Sequence, residues 1–128
     1  MKKLVLAGLL LAGSVNLMAT EYVAGFIKCN SSSGGGKSAY FIVKGIGNNL
    51  SHNGQQLAMG AFLNAEYASE TNSYCEHNQV YTDGVIFDYS SKAKANRKFS
   101  ELINDYKSES YVSKLVIIKK GYDESDWR

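Results

Sequence analysis

Proline is absent from this 128-residue sequence, which also contains only two cysteines, two histidines and one tryptophan. Without proline, no X-Pro isomerisation slows the folding of the chain. The few cysteines and histidines form neither a CxxC nor an HExxH metal-binding pattern, and two histidines alone do not make a metal site. We therefore expect the protein to hold no metal and no cofactor.

The net charge of the chain is also small. The chain has 14 basic and 12 acidic residues, for a formal net charge of +2. Lys2 and Lys3 at the N-terminus account for this excess, so residues 20–128 are neutral. A neutral surface provides no electrostatic attraction for nucleic acid or anionic lipid, and we expect neither as a partner.

The longest apolar run is N-terminal and follows Lys2 and Lys3. It covers residues 4–18, which is shorter than the about 20 apolar residues of a membrane span. Ala19 offers a small residue for cleavage, so residues 1–19 are predicted to be a removable signal peptide. An uncleaved membrane anchor is the alternative, but no positive cluster follows the run and Glu21 comes almost immediately. Residues 20–128 are then one exported domain, periplasmic or secreted, with no membrane span after cleavage.

Export determines the expected state of the cysteines. Cys29 and Cys75 are the only pair, and the oxidising environment outside the cytoplasm favours a disulfide between them. Such a bond would stabilise a small domain. The alternative is a pair of free thiols, one of them a nucleophile or metal ligand.

A hairpin is predicted near the start of the mature chain. Residues 21–29 alternate in the manner of a strand, and residues 39–45 are β-branched and aromatic. The polar stretch 30–38 between them contains Gly36, Lys37 and Ser38, which end a phosphate-binding loop in other proteins. The first glycine of that motif is replaced by Ser31, and a strand follows where a helix is needed. Lys37 is therefore predicted to be a solvated charge in a mobile loop.

Two helices are predicted further along. The first runs from about Gly54 to Ser69 with Asn53 as its cap, and residues 70–74 break it. Its buried face is predicted to contain Leu57, Ala61, Ala65 and Ala68, with Ala58 and Phe62 beside it. The second follows Ser90 or Ser91 and buries Ala95, Phe99, Leu102, Ile103 and Tyr106.

Further strands surround the second helix. Residues 75–90 predict two short strands joined by a turn at Asp83 and Gly84. Residues 115–118 are apolar on both faces and predict an interior strand. From Asp123 onward the tail, residues 123–128, is predicted to fray, although Trp127 offers a ring for docking.

These elements predict a single small α+β domain. Its mixed or antiparallel sheet has about five strands, and both helices pack on one face, in the order β-β-α-β-β-α-β. The predicted core consists of Val23, Ile27, Phe41, Val43, Phe62, Val85, Phe87, Phe99, Leu102, Ile103, Val116 and Ile118.

Tyrosine is abundant, with nine in the chain. Tyrosine supplies contact area at little entropic cost, so strand-associated tyrosines predict a binding surface. These are Tyr22, Tyr40, Tyr74, Tyr81, Tyr89 and Tyr111. The polar loops add Lys37, His52 and Asn53 as candidates. The alternative is that tyrosine simply suits half-buried strands.

Catalytic residues are harder to find. His52 and His77, with Glu76, Asp83 or Asp88 as a partner, are the available acid–base groups. We expect a protein that is not an enzyme and that binds another envelope protein, as an inhibitor or immunity protein against an envelope-targeting enzyme or toxin. The alternatives are a structural accessory subunit of an envelope assembly and a small hydrolase using His52 or His77.

Overall fold

The computed structural model describes residues 21–47, 52–80 and 83–123. Its elements in chain order are β1 (Tyr22–Asn30), β2 (Ser38–Ile46), α1 (His52–Glu66), α2 (Ala68–Tyr74), a 3-10 turn (Glu76–Asn78), β3 (Gly84–Tyr89), α3 (Lys92–Tyr106), β4 (Val112–Ile117) and β5 (Tyr122–Asp123). One mixed sheet with helices confirms the predicted single α+β domain. The predicted signal peptide, Tyr81 and Trp127 lie outside the described residues.

The hairpin of β1 and β2 forms the centre of the sheet, as predicted. The strand order is β3-β1-β2-β4. β1 pairs antiparallel with β2 and β3, while β2 pairs in parallel with β4. The two-residue β5 pairs with β2 beyond β4, at Gly45 and Ile46.

The strand predicted from residues 115–118 lies at the edge of the sheet, so its predicted interior position is wrong. It is apolar on both faces because helices cover both faces of the sheet. Leu115 packs against the α3 side and Val116 against the α1 side.

The prediction that both helices share one face is also wrong. Met59, Phe62 and Leu63 of α1 belong to a core on one side of the sheet. Ala95, Phe99 and Leu102 of α3 belong to a second core on the other side. The central strands are buried on both faces, so alternate residues of one strand enter opposite cores: Val23 and Ile27 one, Ala24 and Phe26 the other.

Helix α1 buries a different face from the predicted one. Leu57 is 60% exposed, and the three alanines predicted beside it are exposed too. The buried side chains are Gln55, Met59, Phe62 and Leu63, of which Phe62 was predicted for the core. Both faces have helical spacing, and the face with larger side chains removes more apolar area from water. The helix begins at His52, so Asn53 lies within it instead of capping it.

Residues 70–80 form a helix and a turn where a break and a strand were predicted. α2 continues to Tyr74, with Glu70 in its first turn, where the positive end of the helix dipole favours a carboxylate. Only Cys75 forms a β-bridge, to Ser31. The hairpin predicted at Asp83 and Gly84 is therefore wrong over the described residues, and β3 pairs with β1 instead.

Two glycines allow β1 and β3 to approach closely. A Cβ atom on Gly25 would collide with the carbonyl oxygen of Val85 and lie 2.8 Å from the Cα of Ile86. A Cβ atom on Gly84 would collide with the carbonyl oxygen of Phe26. The pairing with β1 determines which side chains of β3 are buried. Ile86 is buried, whereas Val85 is 40% exposed, so the prediction that Val85 belongs to the core is wrong.

Helix α3 matches its prediction. Ser91 caps it, with its Oγ accepting a hydrogen bond from the Lys94 N–H at 3.3 Å. Ala95, Phe99 and Leu102 are buried, and Ile103 and Tyr106 pack beside them. The sequence of α3 has one wide apolar face opposite a charged one, so periodicity alone was sufficient to predict which face is buried.

Candidate binding site at the loop end of the sheet

The disulfide predicted from the two cysteines joins the end of β1 to the end of α2. Cys29 and Cys75 are bonded, with Cα atoms 5.6 Å apart, and both are buried. Next to the bond, Ser31 forms its β-bridge with Cys75. The Ser32 N–H donates to the Tyr74 carbonyl oxygen at 3.0 Å. The covalent bond and these contacts fix the base of the following loop to α2.

Residues 31–37 form a closed polar loop. The Ser31 N–H donates to the Lys37 carbonyl oxygen and the Gly34 N–H to the Ser31 carbonyl oxygen, both at 3.0 Å. The three glycines 34–36 have φ angles between +73° and +75°, a region that glycine occupies without steric cost. Residues 32–37 are exposed, as predicted for Lys37. β2 begins at Ser38, so the helix N-terminus of a phosphate-binding loop does not follow.

Four aromatic rings, here called the aromatic cluster, pack beside the start of β2 on the α3 side. The Tyr40 ring centre lies 4.7 Å from that of Tyr106, in a stacked arrangement, and 5.2 Å from that of Phe26. The fourth ring, Tyr111, meets Tyr40 at 6.0 Å. Tyr40 is buried, whereas Tyr111 is 43% exposed. The cluster therefore presents one ring to solvent on a packed aromatic base.

An ion pair borders the aromatic cluster. The Lys28 ammonium lies 5.9 Å from the centre of the Tyr40 ring and 3.8 Å from a carboxylate oxygen of Asp83. The backbone supports this pair, because the Lys28 N–H donates to the Asp83 carbonyl oxygen at 2.8 Å. Because both side chains are accessible to solvent, water screens their attraction, and the pair contributes little to the free energy of unfolding. Its main effect is to hold the Lys28 side chain in place beside Tyr40.

Both tyrosines at the centre of this region hold their protons tightly. Burial raises the pKa of Tyr40, and the negative charges that Tyr111, Tyr106, Asp83 and Glu109 carry when ionised raise it further. Desolvation and the Glu109 carboxylate raise the pKa of Tyr111. Both phenols are therefore neutral at neutral pH and can donate and accept hydrogen bonds. Neither supplies a phenolate for nucleophilic or base catalysis.

The 3-10 turn Glu76–Asn78 has an unusual backbone beside the disulfide. His77 and Asn78 have φ angles of 64° and 63°, in the left-handed region that side chains disfavour. Asn64 of α1 holds the end of this segment: its side chain donates to the Val80 carbonyl oxygen at 3.1 Å and accepts from the Val80 N–H at 2.9 Å. The turn is thus tied to α1 as well as to the disulfide.

The histidines considered as catalytic groups do not form a described catalytic pair. The His77 imidazole lies 3.8 Å from the Glu76 carboxylate, and both side chains are mostly exposed, so no pocket desolvates them. Residues 75–80 were predicted to begin a strand, and the described residues form this turn instead. His52 begins α1, and its side chain, like that of Asn53, lies outside the described residues.

We call the loop end the segments 31–37, 75–80 and 107–111 together with Lys28 and Asp83. Hydrogen bonds hold each segment in place. Segment 31–37 is bonded to α2 through the Tyr74 carbonyl oxygen, segment 75–80 to α1 through Asn64, and segment 107–111 to β2, where the Ser38 N–H donates to the Tyr111 carbonyl oxygen at 3.0 Å. Of the remaining described tyrosines predicted to bind, Tyr74 lies on the α1 side, whereas Tyr22 and Tyr89 pair at the opposite end of the sheet.

Grooves lie at both ends of the sheet. The larger, about 510 Å³, lies at the opposite end of the sheet, between Tyr22, Lys44 and Lys92. A shallow groove of about 220 Å³ lies at the loop end, between residues 31–33, Tyr74 and Lys114. Sequence reasoning missed Lys114 and Tyr106, although Tyr106 was predicted for the core from the helical spacing of α3.

Within residues 21–47, 52–80 and 83–123, no group of three or more histidine, cysteine, aspartate or glutamate side chains is placed to hold a metal ion. No helix in the same part of the chain is long and apolar enough to cross a membrane. Comparison with protein-family models, curated proteins and solved structures found no match. The chemistry of the loop end is therefore the basis for a functional proposal.

Proposed function

We propose that the protein is exported and binds another protein of the cell envelope through the loop end, as an inhibitor or immunity protein does. The observation that carries this proposal is the position of Tyr111. Its ring is 43% exposed and rests against Tyr40, with polar exposed segments around it. An aromatic ring that is already held in place loses little freedom on binding, which is typical of residues that dominate interface energies.

The surroundings of Tyr111 support the same function. Lys28, Asp83 and Glu109 provide charges of both signs near the ring, which suits a specific protein contact better than a nucleic acid or an anionic membrane. The turn at His77 and Asn78 lies on the α1 side of the sheet and adds exposed polar side chains to the loop end.

Export is supported by the apolar run at residues 4–18 and by the buried disulfide, because such bonds persist in oxidising compartments. Mass spectrometry of the natural protein tests this part. A chain beginning at Thr20 with both cysteines oxidised is the expected result. An intact N-terminus or two free thiols would contradict export through a cleaved signal.

The binding itself is tested with oxidised residues 20–128 immobilised in envelope extract. We expect a retained protein whose affinity falls at least about tenfold in Tyr111→Ala, as for residues that dominate an interface. Leu57→Ala is the matched control, because Leu57 is 60% exposed on α1, which packs on the opposite face of the sheet from the aromatic cluster. Circular dichroism verifies that both variants are folded. Equal retention by wild type and Tyr111→Ala, or an equal loss in Leu57→Ala, contradicts the proposal.

A structural accessory subunit is the second candidate function, and the edge position of β4 favours it. A strand at the edge of a sheet can pair with a strand of another chain. The hydrolase alternative has no comparable observation in its favour among the described residues.

A further inference from the structure

Strand β4 has one side of its backbone turned away from the sheet. The Ile118 N–H donates to the Ile42 carbonyl oxygen of β2 at 2.9 Å. Because successive residues of a strand alternate in direction, the N–H and C=O groups of Leu115 and Ile117 point away from β2. β5 pairs with β2 and not with β4. No strand among the described residues covers these four polar groups.

The opposite edge of the sheet differs in this respect. The Lys28 N–H donates to the Asp83 carbonyl oxygen, so the groups of the next residue, Gly84, point outward. The Gln56 side chain of α1 donates to the Gly84 carbonyl oxygen at 2.7 Å. A side chain therefore occupies part of the β3 edge, while the outward groups of Leu115 and Ile117 receive no hydrogen bond from a described residue.

The two faces of the β4 edge have different chemistry. On the α3 side lie Leu115 and Ile117, and Ile117 is 40% exposed. On the other side lie Val116 and Lys114, whose ammonium is 5.1 Å from the centre of the Tyr74 ring. β4 itself contains one charged side chain, Lys114, and Lys119 follows it, with no acidic residue in the stretch 112–119. Lys120, the next residue, already pairs with Glu66 of α1 at 2.6 Å. A strand that fits here carries apolar side chains on one face and negative ones on the other.

We propose that the β4 edge receives an extended acidic segment of a partner protein as an additional strand. Main-chain hydrogen bonds to Leu115 and Ile117 would supply affinity, and carboxylates beside Lys114 would supply specificity. A second copy of this chain is a poorer occupant, because β4 contains Lys114 but no acidic residue that could pair with the Lys114 of the other copy. The proposal rests on the proposed binding function, since Tyr111 directly precedes β4.

Hydrogen exchange and a synthetic peptide test this mode of binding. The probe is a blocked peptide of about eight residues in which glutamate alternates with valine, close to the usual length of a strand. In the free protein, we expect the Leu115 and Ile117 amides to exchange faster than that of Ile118. Saturating peptide is expected to slow exchange at Leu115 and Ile117. A peptide with lysine in place of glutamate is expected to bind at least about tenfold more weakly.

Two substitutions at one position separate backbone pairing from side-chain contact. Ile117→Pro removes an outward N–H without removing a bond to β2, so it is expected to abolish peptide protection in a folded protein. Ile117→Ala keeps the N–H and is expected to retain most of the binding. Methylating alternate peptide nitrogens removes the same bonds from the probe, without altering the protein.

Several results would overturn the proposal. These are an unchanged exchange rate at Leu115 and Ile117 in excess peptide, binding that survives Ile117→Pro and the methylated peptide, or equal binding of the lysine peptide. Protection that depends on protein concentration alone would identify a second copy as the occupant instead. Because the probe contains no natural partner, failure here leaves the Tyr111 experiment intact, and failure at Tyr111 leaves this result intact.

Discussion

Replacing Cys29 and Cys75 together by alanine is expected to lower the free energy of unfolding by about 5 kcal/mol. The bond spans a sequence separation of 46 residues, for which the loop-closure model gives about 4 kcal/mol of lost unfolded-state entropy. The two side chains are only 3% and 1% exposed, so removing their sulfur atoms from the core adds about 1 kcal/mol or more. That sum approaches the total stability of many small domains, about 5–15 kcal/mol.

Urea unfolding of residues 20–128, followed by far-ultraviolet circular dichroism, measures this loss. Wild-type protein unfolded under reducing conditions supplies the second measurement, because it breaks the bond while keeping both sulfur atoms. Ser32→Ala is the matched control: it removes only an exposed hydrogen bond to the Ser73 carbonyl oxygen, and we expect a change below about 1 kcal/mol.

A loss below about 2 kcal/mol in the double variant would refute this reasoning. It would mean that the unfolded chain is already restricted between residues 29 and 75, or that hydrophobic contacts of α1 hold the segment without the bond. An equal loss in Ser32→Ala would assign the stability to the loop contacts. Agreement between the reduced wild type and the alanine variant to within about 1–2 kcal/mol would support the covalent constraint as the main cause.

Two further predictions follow from the described packing. Gly25→Ala is expected to destabilise the protein by about 1–3 kcal/mol, because the added Cβ would collide with the Val85 carbonyl oxygen. The control is Gly121→Ala, where no atom lies near the added Cβ and the free energy of unfolding should change by less than about 0.5 kcal/mol. Urea unfolding measures both variants. The raised pKa of Tyr40 means that the folded state holds its proton more tightly, so this stabilisation is complete below the unfolded pKa of 10.0 and is lost as pH rises through the folded pKa. Tyr40→Phe should flatten the fall of unfolding free energy above about pH 10, and an unchanged slope would contradict it.

The sequence predicted the elements more successfully than their arrangement. The strands predicted at residues 21–29, 39–45 and 115–118 correspond to β1, β2 and β4, because their alternation or β-branched content has no helical counterpart. The edge position of β4 was not predictable, because an apolar run on both faces results equally from flanking strands and from helices on both faces of the sheet. For the same reason, the sequence did not predict that α1 and α3 pack on opposite faces of the sheet.

Helix α1 illustrates a second limit of periodicity. Its sequence contains two apolar faces, one with Leu57 and alanines and one with Met59, Phe62 and Leu63. Only the space available beneath the sheet decides between them, and the larger side chains fill it. The strand expected at residues 75–80 failed for a tertiary reason as well, because the disulfide at Cys75 and the Asn64 side chain hold this segment as a turn.

The candidate site was predictable only in part. The sequence predicted the disulfide between Cys29 and Cys75. It also indicated Lys37 and Tyr111 as surface residues, and both are exposed. Their proximity was not predictable, because it depends on the parallel pairing that brings the start of β4 next to the start of β2. Lys114 and Ile117 were missed as binding residues for the same reason: an outward backbone direction depends on the partner strand and has no signature in one sequence.

The two proposed contacts, Tyr111 and the β4 edge, are next to each other, so one partner could bind both. Tyr111 lies one residue before β4, and the strand extends about 20 Å from it at the usual rise per residue. A partner anchored on Tyr111 would hold its own chain near the β4 edge, so the second contact would form without another association cost. A short edge-binding peptide lacks that anchor and should bind weakly, whereas a folded partner that reaches both should bind tightly. Loss of tight binding in either Tyr111→Ala or Ile117→Pro would then reflect one continuous interface.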